Sequence, residues 1–398
     1  MDLEIHGVAL FSEEYPPFAF GGISTVTYDL AQSLSKRRVP TTVFCGKSYN
    51  VAIEIVSDYL KIVRLPCVDF PPRFVWFQFQ NLKNALKHLD RHIIIHSVNP
   101  QVSLLCTYLK KKLDRPLVTS YHGVPVFDSK SFLDSPINSW TTGDFGYNVI
   151  EFPVNEFHMR LSLANSDRIV SCSKITLNEL KTVYSGIDNL KNSIVINNGV
   201  DFENLKNIRN DFREKEGLNA LTIIFVGRLY YIKGITYLLK AFEFLIRDYP
   251  NTKLKIFGNG PLKETIRSMI KQKDLESKVF IMGQVERNKL LEELSKADIF
   301  VLPSLREAQS MSLLEAMAFE KPVVVFDYPF FRECIKHMYN GLLAKPRDAY
   351  DLAEKIGYLL SDSKLRKKIS YNAAEYVKQN HNWDILVNDY INLYKSLS

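Results

Sequence analysis

The 398-residue chain has little cysteine and no clustered cysteine. Cys45, Cys67, Cys106, Cys172 and Cys334 are odd in number, far apart and form no C-x-x-C. That excludes a disulfide framework and a cysteine zinc site, and suits a reducing compartment. A long apolar run is also missing. The longest uncharged stretch, His92 to Leu109, carries His96, Asn99, Pro100 and Gln101, so it reads as strand, turn and helix rather than a membrane span. Met1-Asp2-Leu3-Glu4 lacks a basic segment ahead of an apolar one, so no signal peptide is expected and the expected location is the cytoplasm. Lys and Arg outnumber Asp and Glu by 51 to 44, a net +7, without dense clustering. The nearest approach to a cluster, Lys110-Lys111-Lys112, reads as a solvated helix end. A nucleic-acid partner is therefore not expected; an anionic small molecule or an anionic membrane surface is.

What is present is an ordinary globular composition with enough length for two domains. Short β-branched runs alternate with longer amphipathic ones. Strands are expected at Ile5–Phe11, Thr41–Cys45, Leu60–Leu65, Ile93–Val98, Leu117–Tyr121, Arg168–Cys172 and Ser193–Ile196, with helices at Ile23–Lys36, Phe77–Leu89, Gln101–Leu113 and Ile150–Ala164. A second series follows: strands Thr222–Val226, Lys253–Phe257, Val279–Met282, Ile299–Leu302 and Val323–Phe326, alternating with helices Ile235–Arg247, Leu262–Lys273, Arg287–Ser295 and Ser310–Phe319. Such alternation predicts an α/β chain with two Rossmann-like parallel-sheet domains. The seam is the turn Asn197-Asn198-Gly199-Val200-Asp201 and the charged, strand-poor stretch to Asn219. The expected domains are 1–200, 201–380 and a C-terminal helix at 381–398; periodicity makes Ser363–Ser398 helical throughout. Ligand is expected in a deep cleft between the domains, in loops that follow strands.

The unusual residues stand in those loops. Gly21-Gly22 opens a helix after the first strand, where free N–H groups attract anions; a tight packing turn is the other reading. Arg228 and Lys233 flank the loop after Thr222–Val226 and can converge on a diphosphate, or be two solvated cations. Gly258-Asn259-Gly260-Pro261 is a glycine turn opening a helix, near which a nucleobase could stack; a plain turn is the alternative. In Pro303 to Ala318, Glu307 sits in a loop and Glu315 on an apolar helix face. A carboxylate in such a face needs a partner: a vicinal diol such as ribose, or a structural Arg or Lys. The N–H groups of Ser310, Met311 and Ser312 would face a phosphate. His122-Gly123 ends strand Leu117–Tyr121, suited to a substrate hydroxyl or to a satisfied loop. Phe74, Trp76, Phe77 and Phe79 with Arg73, Lys83 and Lys87 would meet an acceptor or lipid surface, or pack under a helix.

Taken in order, these motifs resemble the retaining GT-B-fold glycosyltransferases of family 4. The specific part is Val226-Gly227-Arg228 with Lys233-Gly234, Gly258-Asn259-Gly260-Pro261, Pro303-Ser304, and Glu307-x7-Glu315 leading into Ala316-Met317-Ala318 and Lys321-Pro322-Val323-Val324. Pro16-Pro17, Gly21-Gly22, His122-Gly123 and Asn198-Gly199-Val200-Asp201 match more weakly. The resemblance implies that Arg228 and Lys233 bind the donor diphosphate, Glu315 the ribose, and Glu307 the donor sugar. It gives the backbone of Ala308, Gln309, Ser310 and Met311 to phosphate and sugar, and Gly258 and Gly260 to the donor. Gly22 would approach the diphosphate from the other domain and His122 would contact the donor sugar near the reacting carbon, with Gly21 and Asn198 among the substrate-binding residues. It implies a hexosyl unit moved from a UDP- or GDP-linked sugar to a hydroxyl of a glycan or lipid-linked acceptor, with an α-linkage formed. It implies neither metal nor cofactor, and the chain has no Asp-x-Asp; peripheral contact with an anionic membrane, at the inner face of the cell membrane, is expected from the aromatic and basic residues of Phe74–Lys87. Two positions depart from the family's pattern: Glu320 stands where Gly is usual, and Ala308-Gln309-Ser310 replaces Gly-aromatic-Gly. The alternatives are a sugar-nucleotide epimerase or hydrolase of the same fold, and a non-catalytic nucleotide-sugar-binding protein.

Overall fold

In the computed structural model the described residues are 6–17, 21–48, 50–68, 72–89, 93–133, 151–212 and 221–397. Ile5, the loop positions Phe18-Ala19-Phe20, His92, Ile150, residues 213–219 and Ser398 lie outside them. The chain forms two compact units that part at Gly199 and Val200; helix Trp383–Lys395 belongs to the first.

The first unit is built on β1 (Val8–Phe11), β2 (Thr41–Ser48), β3 (Ala52–Ser57), β4 (Leu60–Pro66), β5 (Ile94–Ser97), β6 (Leu117–Tyr121), β7 (Arg168–Ser171) and β8 (Ser193–Val195), in sheet order β3-β4-β2-β1-β5-β6-β7-β8. All neighbours are parallel except β3, which runs antiparallel to β4. The parallel reading of the sequence therefore needs one correction, at β3. That strand is exposed along its whole length, so it carries none of the apolar run by which buried parallel strands are recognised. Helices α1 (Gly22–Lys36), α2 (Arg73–His88), α3 (Ser103–Leu113), α5 (Phe152–Asn165) and α6 (Lys174–Val183) join the strands, and α4 (Pro125–Leu133) begins in this unit, its residues from Asp128 on grouping with the second. The core gathers Phe11, Phe44, Phe77, Ile95, Leu105 and Leu117, all fully buried. Phe11 and Phe44 stack at 4.6 Å across β1 and β2.

The second unit has β9 (Thr222–Val226), β10 (Lys253–Phe257), β11 (Val279–Gly283), β12 (Ile299–Leu302), β13 (Val323–Phe326) and β14 (Leu342–Ala344), all parallel, in order β11-β10-β9-β12-β13-β14. Its helices are α7 (Phe202–Phe212), α8 (Ile235–Asp248), α9 (Lys263–Gln272), α10 (Arg287–Lys296), α11 (Met311–Ala318), α12 (Pro329–Arg332), α13 (Ala349–Ser361) and α14 (Ser363–Asn380). Strands β9, β12 and β13 are buried at every position, which explains their uninterrupted apolar sequences. The tail expected to be helical over Ser363–Ser398 consists of two helices, α14 and Trp383–Lys395. They break at His381-Asn382, where the His381 carbonyl accepts from Val200 N–H at 2.8 Å. Helix Trp383–Lys395 (α15) then buries Trp383, Leu386, Tyr390 and Tyr394.

The docking of α15 in the first unit includes a buried polar contact. His96 Nδ1 meets Tyr394 Oη at 2.7 Å and its Nε2 meets Ser120 Oγ at 2.8 Å. Burial lowers the His96 imidazole from 6.5 to about 3, with His122 adding repulsion.

Candidate functional site

In each sheet the strand order reverses direction once in the middle, between β1 and β5 and between β9 and β12. The carboxyl ends of strands at such a point leave a crevice where open α/β sheets bind ligands. In the second unit, β9 delivers Gly227 and Arg228, and a short helical turn at Tyr231–Lys233 precedes Gly234 and α8. Next to it β12 delivers Pro303 and Ser304, then Glu307 and α11.

The two loops are pressed together backbone to backbone. Leu305 N–H donates to the Ile232 carbonyl at 2.7 Å. Gly234 has φ +69°, and a Cβ there would lie 1.8 Å from the Pro303 carbonyl oxygen. Only glycine meets both demands. The approach brings Lys233 Nζ to Glu307 Oε1 at 2.6 Å, with both side chains mostly buried. Ser304 Oγ donates to the same oxygen at 2.8 Å. Arg228 is not drawn in. It is exposed, lies over the Tyr230 ring at 5.2 Å, and has no carboxylate partner among the described residues. Of the two cations, Lys233 is held by Glu307 and Arg228 is not.

At α11, Ser310 is the N-cap, its Oγ accepting from Leu313 N–H. Ser312 Oγ donates to the Val226 carbonyl at 3.1 Å, fixing the helix start against the end of β9. The N–H groups of Met311 and Ser312 belong to the first turn, before intrahelical bonding begins; Ala308 and Gln309 lead into it. One turn along, Glu315 is 2% exposed. Its partner is Arg287, whose Nη2 donates to Oε1 at 2.5 Å. The structural ion pair set beside the diol reading is thus what the structure shows. Sequence reasoning missed Arg287. The available signal was a cation opening a helix, where the macrodipole favours an anion.

Gly258 and Gly260 acquire a packing role. A Cβ on Gly258, at φ +131°, would lie 1.9 Å from the Gly227 carbonyl oxygen, and one on Gly260 would lie 2.7 Å from that of Leu229. Leu229 N–H donates to the Asn259 carbonyl at 2.9 Å. Glu320 takes φ +54° where glycine would be unstrained, and pairs with Arg209 at 2.5 Å.

In the first unit, Gly21 is the N-cap of α1. No side-chain hydrogen bond caps that helix and no acid stands in its first turn, although the Glu14 carboxylate lies beside Gly21, with Oε2 3.3 Å from where a Cβ there would stand. His122 follows β6. Its Nε2 lies 3.0 Å from the Val98 carbonyl, which only accepts, so Nε2 carries the proton and Nδ1 of the neutral ring is an acceptor. Nδ1 is buried with no partner in ordinary hydrogen-bonding geometry. Burial lowers the ring to about 4, against the Val98 carbonyl and Asn198, which both favour the charged form. The structure thus brings His122 and Asn198 together. The sequence Phe74–Lys87 divides by helix face: Phe74 and Phe77 are core, while Trp76 and Phe79 are 41% and 59% exposed, on the same side as exposed Lys83 and Lys87. Lys110 is not merely solvated, since it pairs with Asp167 at 2.7 Å; Lys111 and Lys112 are exposed.

The buried histidines predict an acid limit. Unfolded, both titrate near 6.5; folded, at about 3 and about 4. As pH falls below about 6.5, the unfolded chain binds protons that the folded chain refuses. Stability is therefore full above that pH and falls toward pH 4, by about 1.4 kcal/mol per pH unit for each histidine. Urea titrations between pH 4.5 and 7 check this: His96→Gln should remove its own share of the slope, about 1.4 kcal/mol per pH unit, leaving those of His122 and of His158, which burial also lowers, and an unaltered slope would refute the assignment.

Among the described residues no three or more His, Cys, Asp or Glu side chains are grouped to hold a metal ion, and no helix is long and apolar enough to cross a membrane. Comparison with known proteins matches residues 20–204 to the family described as Glycosyltransferase Family 4 and residues 207–376 to Glycosyl transferases group 1. A glycosyltransferase of Methanocaldococcus jannaschii is 25% identical over 392 residues, 98% of this chain and 97% of that one. The N,N'-diacetylbacillosaminyl-diphospho-undecaprenol alpha-1,3-N-acetylgalactosaminyltransferase of Campylobacter jejuni is 44% identical over 108 residues, 27% of this chain and 28% of that one. Among solved structures, sucrose-phosphate synthase from Thermosynechococcus elongatus has a TM-score of 0.79 at 20% identity, covering 98% of both chains. Anabaena HepE, in complex with UDP and glucose, has 0.72 at 16%, covering 98% of this chain and 99% of that one. Matched along both of its halves, the chain belongs to the group 1 and family 4 glycosyltransferases and has their GT-B fold.

Proposed function

We propose that the protein moves a hexosyl unit from a UDP- or GDP-linked sugar to a hydroxyl of a glycan or lipid-linked acceptor, with retention and an α-linkage, and without a metal. The observation that carries this is the placement of Lys233, Glu307, Arg228 and the start of α11 at the carboxyl ends of β9 and β12, where the second sheet's order reverses. In this reading the second unit binds the donor and the first the acceptor. Lys233 has three donors, so it can keep Glu307 and still meet a phosphate oxygen. Arg228, with no carboxylate to hold it among the described residues, turns to the same diphosphate, and the backbone N–H groups from Ala308 to Met311, leading into α11, complete the cradle. These fixed positive groups stabilise the charge that develops as the diphosphate leaves. Glu315 accepts from ribose hydroxyls and Glu307 from the sugar. In the first unit, Gly21 and Gly22 receive an anion and His122, neutral at physiological pH, accepts a sugar hydroxyl at Nδ1 beside Asn198. The names of the Campylobacter relative and of the UDP-bound Anabaena structure support this donor and acceptor chemistry.

A thermal-shift panel of nucleotide sugars tests the reading, since a ligand bound only by the folded state raises its melting point. The binding donor is then incubated alone and with acceptors. Turnover without acceptor would mark an epimerase or hydrolase; binding with no transfer to any acceptor would mark a sensor. The anomeric coupling in the product reports retention.

We assign the outer stripe of α2 to the membrane that carries a lipid-linked acceptor. Trp76, Phe79, Lys83 and Lys87 recur at helical spacing and are all exposed. In flotation assays the protein should rise with anionic but not neutral vesicles. Neutralising Lys83 (Lys83→Gln) should weaken this about fivefold, roughly 1 kcal/mol. Equal binding by Trp76→Ser/Phe79→Ser and wild type would end the assignment.

A further inference from the structure

We propose that Arg287 is a positioning residue of the nucleotide site, holding Glu315 in its ionised form before ligand arrives and leaving one carboxylate oxygen open for a ribose hydroxyl. The proposal rests on the reading of Glu315 as the ribose partner.

Glu315 is surrounded on α11 by buried Leu314, Ala316, Met317 and Ala318. A solitary carboxylate so placed would take up a proton rather than stay charged. Arg287 prevents this through one short contact to Oε1, and its own side chain remains 32% exposed. Among the described residues it is the side chain bonded to that carboxylate, and it engages one of the two oxygens. It is the first residue of α10, directly after the N-cap Glu286, where a cation opposes the helix dipole. A residue that breaks a local rule marks a compensating gain elsewhere, and the contact with Glu315, 28 residues away, supplies it.

Other charges on the elements packed around α11 are committed or remote. On α7, Arg209 pairs with Glu320, Lys206 with Glu203, and Asp211 is exposed. On α14, Arg366 donates to the Leu359 and Leu360 carbonyls and Tyr376 to that of Glu333; Glu375 is half-buried, and the lysines and Tyr371 are exposed. Strands β12 and β13 carry no charge. On α10 itself, Glu292 is held by Lys296 and Lys289, and Glu293 by Lys255 and Lys289.

The test uses Arg287→Met, Arg287→Gln (a neutral donor, should Met disturb folding), Arg287→Lys and Arg287→Met/Glu315→Gln. Calorimetry with UDP-glucose and GDP-mannose runs from pH 5.5 to 8, a range in which the diphosphate diester of a nucleotide sugar does not titrate. Relative to wild type, the Met and Gln variants should lose affinity progressively as pH falls, about tenfold per unit below the new carboxyl pKa, and recover toward pH 8. Arg287→Lys should stay within about threefold of wild type at every pH, and the double variant should lose the pH dependence. A purely structural role would lower affinity by one factor at all pH values, and that result overturns the proposal. Melting of the unliganded variants separates the two readings. With Glu315 raised above its unfolded value, the folded Met variant binds the extra proton, so its stability should fall as pH rises through 5 to 7 relative to wild type. That slope, seen while wild type binds neither nucleotide sugar, would uphold the Arg287–Glu315 coupling and refute the nucleotide reading. No slope in melting or in affinity would refute the coupling itself.

Discussion

Replacing Lys233 by alanine is expected to lower turnover by about 10²–10³-fold, the scale for losing one group that stabilises developing charge. The geometry sharpens the expectation. Lys233 and Glu307 are 2.6 Å apart and mostly buried, and Ser304 is the other donor to the same oxygen. On the proposed reading alanine removes a cation from the departing diphosphate, and it strands the Glu307 carboxylate that Lys233 pairs. Both effects raise the barrier more than they weaken ground-state binding, so the loss should fall chiefly on kcat. Arginine, which keeps charge but not the compact ammonium, should recover part of the rate. Adding Glu307→Gln to Lys233→Ala should cost less than the product of the two single losses, because the second change removes the carboxylate that the first leaves unpaired. Wild-type turnover in Lys233→Ala, measured with the donor found by thermal shift, would remove Lys233 from the mechanism.

The sequence was most legible where burial alone decides structure. Strands β9, β12 and β13 begin and end where their apolar runs do, because a parallel strand covered on both faces leaves little room for a polar residue. It was least legible where tertiary pairing decides. Strand β3 owes its conformation to its antiparallel ladder with β4. The break at His381-Asn382 follows from backbone pairing with Val200, which periodicity cannot register. The candidate site divides similarly. Its glycines and acids stood out in the sequence, but Lys233 meets Glu307 across 74 positions and Glu315 meets Arg287 across 28. Those distances become contacts only because β9 lies beside β12 and because α10 opens toward α11. Chemical type was visible in one dimension; the choice of which cation serves which carboxylate was not.

The glycines carry the other large effect. Gly258→Ala should destabilise the second unit by about 4 kcal/mol or more, the range of exceptional single substitutions, and lower its melting temperature by roughly 10–15 °C. The Cβ would come within 1.9 Å of the Gly227 carbonyl oxygen and 2.9 Å of its carbon, both backbone atoms. That backbone is pinned from behind by Gly227 N–H donating to the Phe257 carbonyl at 3.0 Å, so it cannot recede without opening β9 from β10. Two other glycines separate the clash from the backbone conformation. Gly283 has φ +72° with open space around it, and Gly186 has open space and no positive φ. Gly283→Ala should cost about 1–2 kcal/mol, the left-handed penalty alone, and Gly186→Ala within about 0.5 kcal/mol of nothing. If the three fall in that order, contact between the loops after β9 and β10 dictates glycine at position 258, and loss of donor binding in Gly258→Ala would follow from displacement of Arg228, the next residue along the displaced strand end. If Gly258→Ala melts with wild type yet binds donor poorly, Gly258 is there for the ligand instead, and the packing role assigned to it is wrong.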